Sequence, residues 1–375
     1  MKVDIIIRNG CIIDPYSKKK EVGDICIKSG MIVPVPKEAE AEFAFDATGM
    51  FVMPGLIDYH THIFSAGTEI GIPADLSMIP QGVTTVVDAG SAGVANANAF
   101  LRSDINGSRL RIKAFLNVSA AGLATARYHE NINPKYWDKI RLEEILQQHW
   151  DVFVGLKIRI SKAIADGLGL NVLEAAVGLA DDLNTRLAVH STDPLAPMEE
   201  VVRLLRKGDI LVHCFHGTGS TILDENGQVL DAVREAQERG VVMDAANGRN
   251  HWAFSVAESA LQQGFIPDII STDITIKTLY KEPVFGLPYV ISKYISLGLP
   301  LEKIVACCTT APAELLGLEG TIGTLAPGAY GDVSVFRLEN KNLTFSDTKG
   351  EIRNGSCVLI PQLTVLNGQV LFRSL

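Results

Sequence analysis

The chain has 375 residues, of which 47% are hydrophobic and 21% charged, and carries a net charge of −9. That composition is globular and long enough to bury a large core without staples, while the acidity lacks the basic surface that a nucleic-acid partner requires. No run approaches the ~20 apolar residues that span a bilayer, and the opening Met1–Arg8 is too short and too polar for a signal segment.

In chain order, residues 1–52 hold short β runs: Asp4–Arg8, Cys11–Ile13, Asp24–Lys28, Met31–Val35 and Phe43–Asp46. Asn9-Gly10, Ser29-Gly30 and Thr48-Gly49 punctuate them as turn signals. Eight apolar runs follow, at Phe51–Leu56, Thr84–Asp88, Ile112–Val118, Phe153–Ile160, Leu187–His190, Ile210–His213, Val241–Met243 and Ile269–Asp273. Most precede stretches with apolar residues at three and four spacing, such as Leu142–Gln148, Val172–Leu183, Met198–Arg206, Val229–Arg239 and Val256–Gln263. Alternation of this kind over roughly 260 residues predicts an α/β fold, a (β/α)8 barrel. A doubly wound sheet is the alternative, but the glycine-rich phosphate turn it would usually carry is absent.

Residues 319–375 return to β runs, at Gly331–Arg337, Cys357–Pro361, Leu363–Leu366 and Gln369–Phe372, with Asn367-Gly368 as a hairpin signal. Neither end holds enough strands for a core of its own. The expectation is therefore a small β-sandwich domain from 1–52 and 319–375, and a barrel from 53–318. The six cysteines (11, 26, 214, 307, 308 and 357) form no CxxC pair. They read as reduced thiols in a cytoplasmic protein, with the adjacent Cys307 and Cys308 on a helix.

Polar residues fall where the apolar runs end. His60 and His62 close Pro54-Gly55-Leu56-Ile57-Asp58-Tyr59, and alternate strand residues share a face, so both imidazoles can reach one ion. The bland alternative is two polar residues entering a loop. Lys157, His190, His213 and Asp273 stand at the ends of later runs, and in a barrel all would converge on the mouth where barrel enzymes place their chemistry. Lys157 lies in Val152-Phe153-Val154-Gly155-Leu156-Lys157-Ile158 and would bury an ammonium, which is costly. Either an acid pairs with it, or carbon dioxide converts it to an anionic carbamate able to bridge two metals. Cys214 should face away from the mouth, opposite His213. Asp88 reads as a residue that orients a ligand or caps a loop, and His129 and His149 as surface positions.

Together these residues resemble the amidohydrolase superfamily. The resemblance rests on Gly49 to His62, on Gly320 to Phe336, and on Leu211-Val212-His213-Cys214-Phe215-His216-Gly217, Ser271-Thr272-Asp273-Ile274 and Pro283-Val284-Phe285-Gly286-Leu287-Pro288. Within the superfamily the likeness is greatest to the amidohydrolase/deacetylase, or dihydroorotase-like, group. It implies two divalent metal ions, usually Zn2+, with His60, His62 and Asp273 on one, His190 and His213 on the other, and carboxylated Lys157 between them. It also implies cleavage of an amide or ester in a small acetylated acid. Asp273 would take the proton of a metal-activated water and pass it to the leaving group. Arg159, on the strand face of Lys157, would stabilise the charge that develops on the carbonyl oxygen, or form a salt bridge or clamp a substrate carboxylate.

The chain departs from the family in two places. Phe64 stands two residues after His62, where dihydroorotases carry an arginine, so cyclic-amide hydrolysis of the dihydroorotase or hydantoinase type is the second expectation. Asn247 stands where the deacetylase-like group has histidine, and His251 would reach in from the loop instead. His216, Asn247 and His251 are the expected substrate contacts. A non-catalytic barrel scaffold is the rival of another class, and it should have lost metal ligands, whereas all six positions here are ligand-competent. A homo-oligomer suits the architecture, though no interface is legible.

Overall fold

The computed structural model describes residues 2–165 and 167–375. The N-terminal part forms β1 (Lys2–Asp14), β2 (Lys19–Lys28), β3 (Met31–Val33), β4 (Glu40–Asp46) and β5 (Phe51–Pro54). The central strands are β6 (Leu56–Thr61), β7 (Val83–Asp88), β8 (Arg111–Asn117), β9 (Phe153–Arg159), β10 (Leu187–His190), β11 (Ile210–Val212) and β12 (Val242–Asp244). The chain ends in β13 (Val333–Ser346), β14 (Ile352–Leu366) and β15 (Gln369–Arg373).

Both chain ends build one mixed sheet, in the order β15-β14-β13-β5-β1-β2-β3 with β4 paired to β1. Ile5, Ile7 and Ile27 from the first part share a core with Val333, Val335 and Leu363 from the last. This burial, on the order of 2 kcal/mol per large aliphatic side chain, is what holds two remote segments together. Asn9-Gly10 is not a turn. It is an irregularity within the continuous strand β1, with Asn9 at φ 58° and the register shifting between Ile7 and Gly10. The long β13–β14 hairpin likewise replaces the separate short strands expected near the C-terminus.

The seven central strands pair in parallel from β6 to β12. Phe51–Leu56 does not form the first of them: it divides, with β5 pairing β1 and β13 in the mixed sheet and β6 beginning the parallel one. Helices predicted between strands occur as Lys139–Gln148, Asn171–Asp182, Met198–Leu204, Asp231–Glu238 and Phe254–Gln262. Each turns its apolar residues into one large core, as an amphipathic period demands. Cys307 and Cys308 end the helix Leu301–Cys308, and all six cysteines are free thiols. Among the described residues no helix is long and apolar enough to cross a membrane.

The eighth apolar run closes the barrel without becoming a regular strand. Ala245 N, Asn247 N and Gly248 N donate to the carbonyls of Ile269 (3.0 Å), Ser271 (3.1 Å) and Thr272 (2.9 Å). On its other side Asp273 N donates to His60 O at 2.8 Å, and His62 N to Ile274 O at 3.2 Å. The buried Asp58 carboxylate on β6 adds side-chain bonds, accepting from Thr272 N (3.0 Å) and Thr272 Oγ1 (2.6 Å). The ladder breaks because Asp273 itself sits at φ 50°, outside the extended region.

Candidate metal centre

His60 is on β6 and His62 just beyond it, Lys157 and Arg159 are on β9, His190 ends β10, His213 follows β11, and Asp273 lies in the closing segment. All seven line one cavity of ≈ 620 Å³ at the C-terminal ends of the parallel strands, together with His251. Parallel strands bring their ends together, so residues from five elements meet at one mouth.

Two groups of donors are preassembled. The ligand atoms of His60, His213 and Asp273 lie within 4.8 Å of one another, as do those of His190, His213 and His251. His62 Nε2 is 3.0 Å and His60 Nε2 3.6 Å from Asp273 Oδ1. His213 Nε2 is 2.9 Å from His190 Nδ1. Two of these residues, His213 at φ 66° and Asp273 at φ 50°, occupy the left-handed region. Strain of this kind, of order 1–3 kcal/mol per residue, persists where the surroundings over-determine it and clusters at functional sites.

The imidazoles are aimed from behind. His60 Nδ1 meets Asp244 Oδ2 at 3.2 Å, and the other oxygen of Asp244 is held by Ser271 Oγ (2.6 Å) and Ala246 N (3.0 Å). His62 Nδ1 meets Ser91 Oγ at 2.9 Å, and Asp88 fixes that loop by accepting from Ser91 N (2.7 Å) and Ile63 N (2.9 Å). His213 Nδ1 donates to Ala246 O at 2.8 Å. Such partners fix the tautomer and leave the opposite nitrogen for a metal. Asp244 was not expected to act here, although a carboxylate directly after an apolar run was a usable signal.

Burial decides the charge states. Desolvation lowers the pKa of His60, and holds His190 and His213 well below the ordinary histidine value, so these rings are neutral and ligand-competent. Burial also works against the Asp273 carboxylate. It is outweighed by the hydrogen bond from His62 and by the neighbouring imidazoles, and Asp273 stays below the usual carboxylate range. Lys157 is 2% exposed and its Nζ has no hydrogen-bond partner among the described residues. Desolvation first, then Arg159, brings the amine down to about 8 against the pull of Asp273 and Asp244. Gly90, at φ +87°, makes room for it, since a Cβ there would lie 2.6 Å from Lys157 Cβ and Cγ.

Other expected residues fare differently. Arg159 lines the cavity while donating to Glu130 Oε2 at 2.8 Å, and Asn117 Nδ2 also reaches Glu130, at 3.2 Å. Glu130 lies in an irregular stretch with no periodic signal, which is why it escaped sequence reasoning. His251 enters the site, its ring stacked at 4.3 Å on His213. Burial pushes its pKa down to about 4. His216 and Asn247 are buried but do not line the cavity, and among the described residues His216 Nε2 and both polar side-chain atoms of Asn247 have no hydrogen-bond partner. Cys214 is buried with its thiol pushed well up by desolvation, away from nucleophile chemistry. His129 is exposed.

The donor set fits divalent cations. It offers neutral imidazoles and a carboxylate at converging positions, a combination suited to zinc, beside an orphaned buried amine that a carbamate would satisfy. Around the cavity stand Arg127, Arg249 and Lys277. Arg127 pairs with Glu69 at 3.0 Å, whereas Arg249 and Lys277 have no ion-pair partner among the described residues.

The chain is similar to several known proteins over almost its whole length. A deacetylase of Agrobacterium fabrum (strain C58) is 33% identical over 330 residues, covering 88% of this chain and 81% of that protein. A solved structure of a dihydroorotase superposes with a TM-score of 0.89 at 32% identity, covering 99% of each chain. One of an adenine deaminase gives 0.90 at 28% identity, covering 99% of this chain and 100% of the other. The model of the amidohydrolase family matches residues 51–371. With its barrel, its histidine-rich mouth and these near-full-length likenesses, the chain belongs to the amidohydrolase family and is a hydrolase.

Proposed function

We propose that the protein is a binuclear metal-dependent hydrolase that removes the acyl group, by amide or ester cleavage, from a small acetylated acid in the cytoplasm. The observation that carries the reading is the convergence of His60, His213 and Asp273, from three separate elements, beside His190 and the orphaned Lys157. His60, His62 and Asp273 would hold one ion and His190 and His213 the other, with Lys157 between them as a carbamate. In that modification the neutral amine attacks carbon dioxide and the resulting acid loses a proton. Two divalent cations, when bound, acidify water and polarise a carbonyl.

The chain's own groups supply the rest. Asp273, ionised at neutral pH, accepts the proton of the attacking water at its carboxylate and delivers it to the leaving nitrogen or oxygen. His62, whose Nε2 lies 3.0 Å from Asp273 Oδ1, would share an ion with that carboxylate and so fix its position. Arg159 stabilises charge developing on the substrate carbonyl oxygen, held in place by Glu130. Arg249 and Lys277 at the rim, without ion-pair partners among the described residues, suit a substrate that carries a carboxylate. A cavity of ≈ 620 Å³ suits a small molecule. The proposed deacetylation also agrees with what the Agrobacterium relative is named for.

Cyclic-amide hydrolysis is the second reading, favoured by the likeness to the solved dihydroorotase. Phe64 speaks against it: it is 2% exposed and packs its ring 4.7 Å from Phe100, leaving no cation in that place. Zinc-loaded protein, screened against N-acetyl amino acids, O-acetyl hydroxy acids, dihydroorotate, hydantoins and adenine, separates the readings. Acetate release from one of the acetylated acids is expected. Turnover confined to the cyclic compounds or to adenine would overturn the proposal.

A further inference from the structure

We infer that His251 is a third imidazole ligand for one of the two cations, completing a three-histidine position with His190 and His213. The inference rests on the binuclear reading above and extends it to a residue outside the strand-end ligand set. His251 stands on the loop after β12, seven residues past that strand's last residue, Asp244. Its ligand atom nevertheless lies within 4.8 Å of those of His190 and His213. Its ring centroid is 4.3 Å from His213 and 4.7 Å from His190.

The division of labour between its nitrogens points the same way. His251 Nδ1 is held by Thr192 Oγ1 at 2.9 Å. Nε2 faces the site, 4.0 Å from Asp273 Oδ2. His213 is treated alike, with Nδ1 on a carbonyl and Nε2 inward. One nitrogen held by the protein and the other left free is the arrangement that prepares an imidazole for a metal.

The loop is also shaped for this ring. Gly248 sits at φ +59°, and a Cβ there would lie 2.3 Å from Asp273 Oδ2 and 2.7 Å from His251 Cδ2. Only glycine lets the backbone turn so close to both. Residues just after His251 are clamped by the tip of the β13–β14 hairpin. Thr348 donates to Trp252 O from its backbone N (3.2 Å) and its Oγ1 (2.7 Å), and Phe254 N donates to Asp347 Oδ2 at 2.9 Å. Ala253 N donates to Phe215 O at 2.9 Å, tying the loop to the one that follows His213. Four hydrogen bonds over three residues hold His251 in register with its neighbours.

The test is a titration of metal-free protein with Zn2+ against a chromophoric chelator, repeated with Co2+ to follow its visible absorption. Wild type, His251→Ala and Thr192→Val are compared, with circular dichroism confirming each fold. His251→Ala should lose about 10-fold or more in affinity at one of two positions, with altered Co2+ absorption there, and keep the other position intact. Thr192→Val, which leaves the ring but frees its Nδ1, should weaken the same position to a smaller extent. Wild-type affinity at both positions in His251→Ala would overturn the inference, and a raised KM alone would make His251 a substrate contact. A folded wild-type chain that binds no cation would instead sink the binuclear reading itself, and the inference with it.

Discussion

Asp273 Oδ1 lies 3.0 Å from His62 Nε2, joining the first strand of the barrel to the segment that closes it. The contact stands at the seam where β6 meets the eighth element, and Asp273 reaches it from a left-handed backbone conformation. The same contact therefore lies both in the closing seam of the barrel and in the site.

Replacing Asp273 with Asn should lower kcat by about 10²–10⁴-fold, since the amide cannot accept the proton that the carboxylate takes. The fold should survive, because Asn tolerates φ near +50° as well as Asp does. Steady-state kinetics with a far-ultraviolet dichroism spectrum check both halves. Turnover within a few-fold of wild type would remove Asp273 from the proton path.

Asp244 should matter without touching substrate. It is nearly fully buried and holds His60 Nδ1 at 3.2 Å while Ser271 and Ala246 hold it. Asp244→Ala should weaken metal binding by about 10–100-fold, the usual effect of removing a group that orients a ligand. Chelator competition measures it. Unchanged metal affinity would show that His60 is aimed by packing alone.

Much of this was legible in the sequence, for a physical reason. Strand periodicity places His60, Lys157, His190 and His213 at the same end of four of the parallel strands, and parallel strands bring their ends together. Asp273 was legible the same way, although its segment is joined by bridges rather than a full ladder. Residues outside periodic elements gave no such signal. Glu130 lies in an irregular loop, and His251 reaches the site only because Gly248 permits the turn and the hairpin tip holds it. His216, three residues past His213, and Asn247, which stands where the resembling group has histidine, were expected as substrate contacts, and both are buried without lining the cavity. Asn9-Gly10 read as a turn because a positive φ serves a bulge equally well.

Lys293 gives a pH prediction for the fold. Its side chain is fully buried, with Nζ donating to Pro283 O (3.0 Å) and Ser346 O (3.3 Å) and lying 4.6 Å from the Trp252 ring. Desolvation brings it from 10.5 down to about 7. Between those values the unfolded chain binds a proton that the folded one does not. Stability should therefore rise with pH across this window, and the gain should be lost as pH falls through 7. Thermal melts of Lys293→Met against wild type should show that rise flattened in the variant. Parallel curves would mean that Lys293 titrates as a free amine.

The metal content of folded, purified protein tests the central claim most directly. Elemental analysis should find about two divalent ions per chain, as a binuclear hydrolase requires. A chain that is folded by dichroism yet binds no divalent ion after loading would contradict the account.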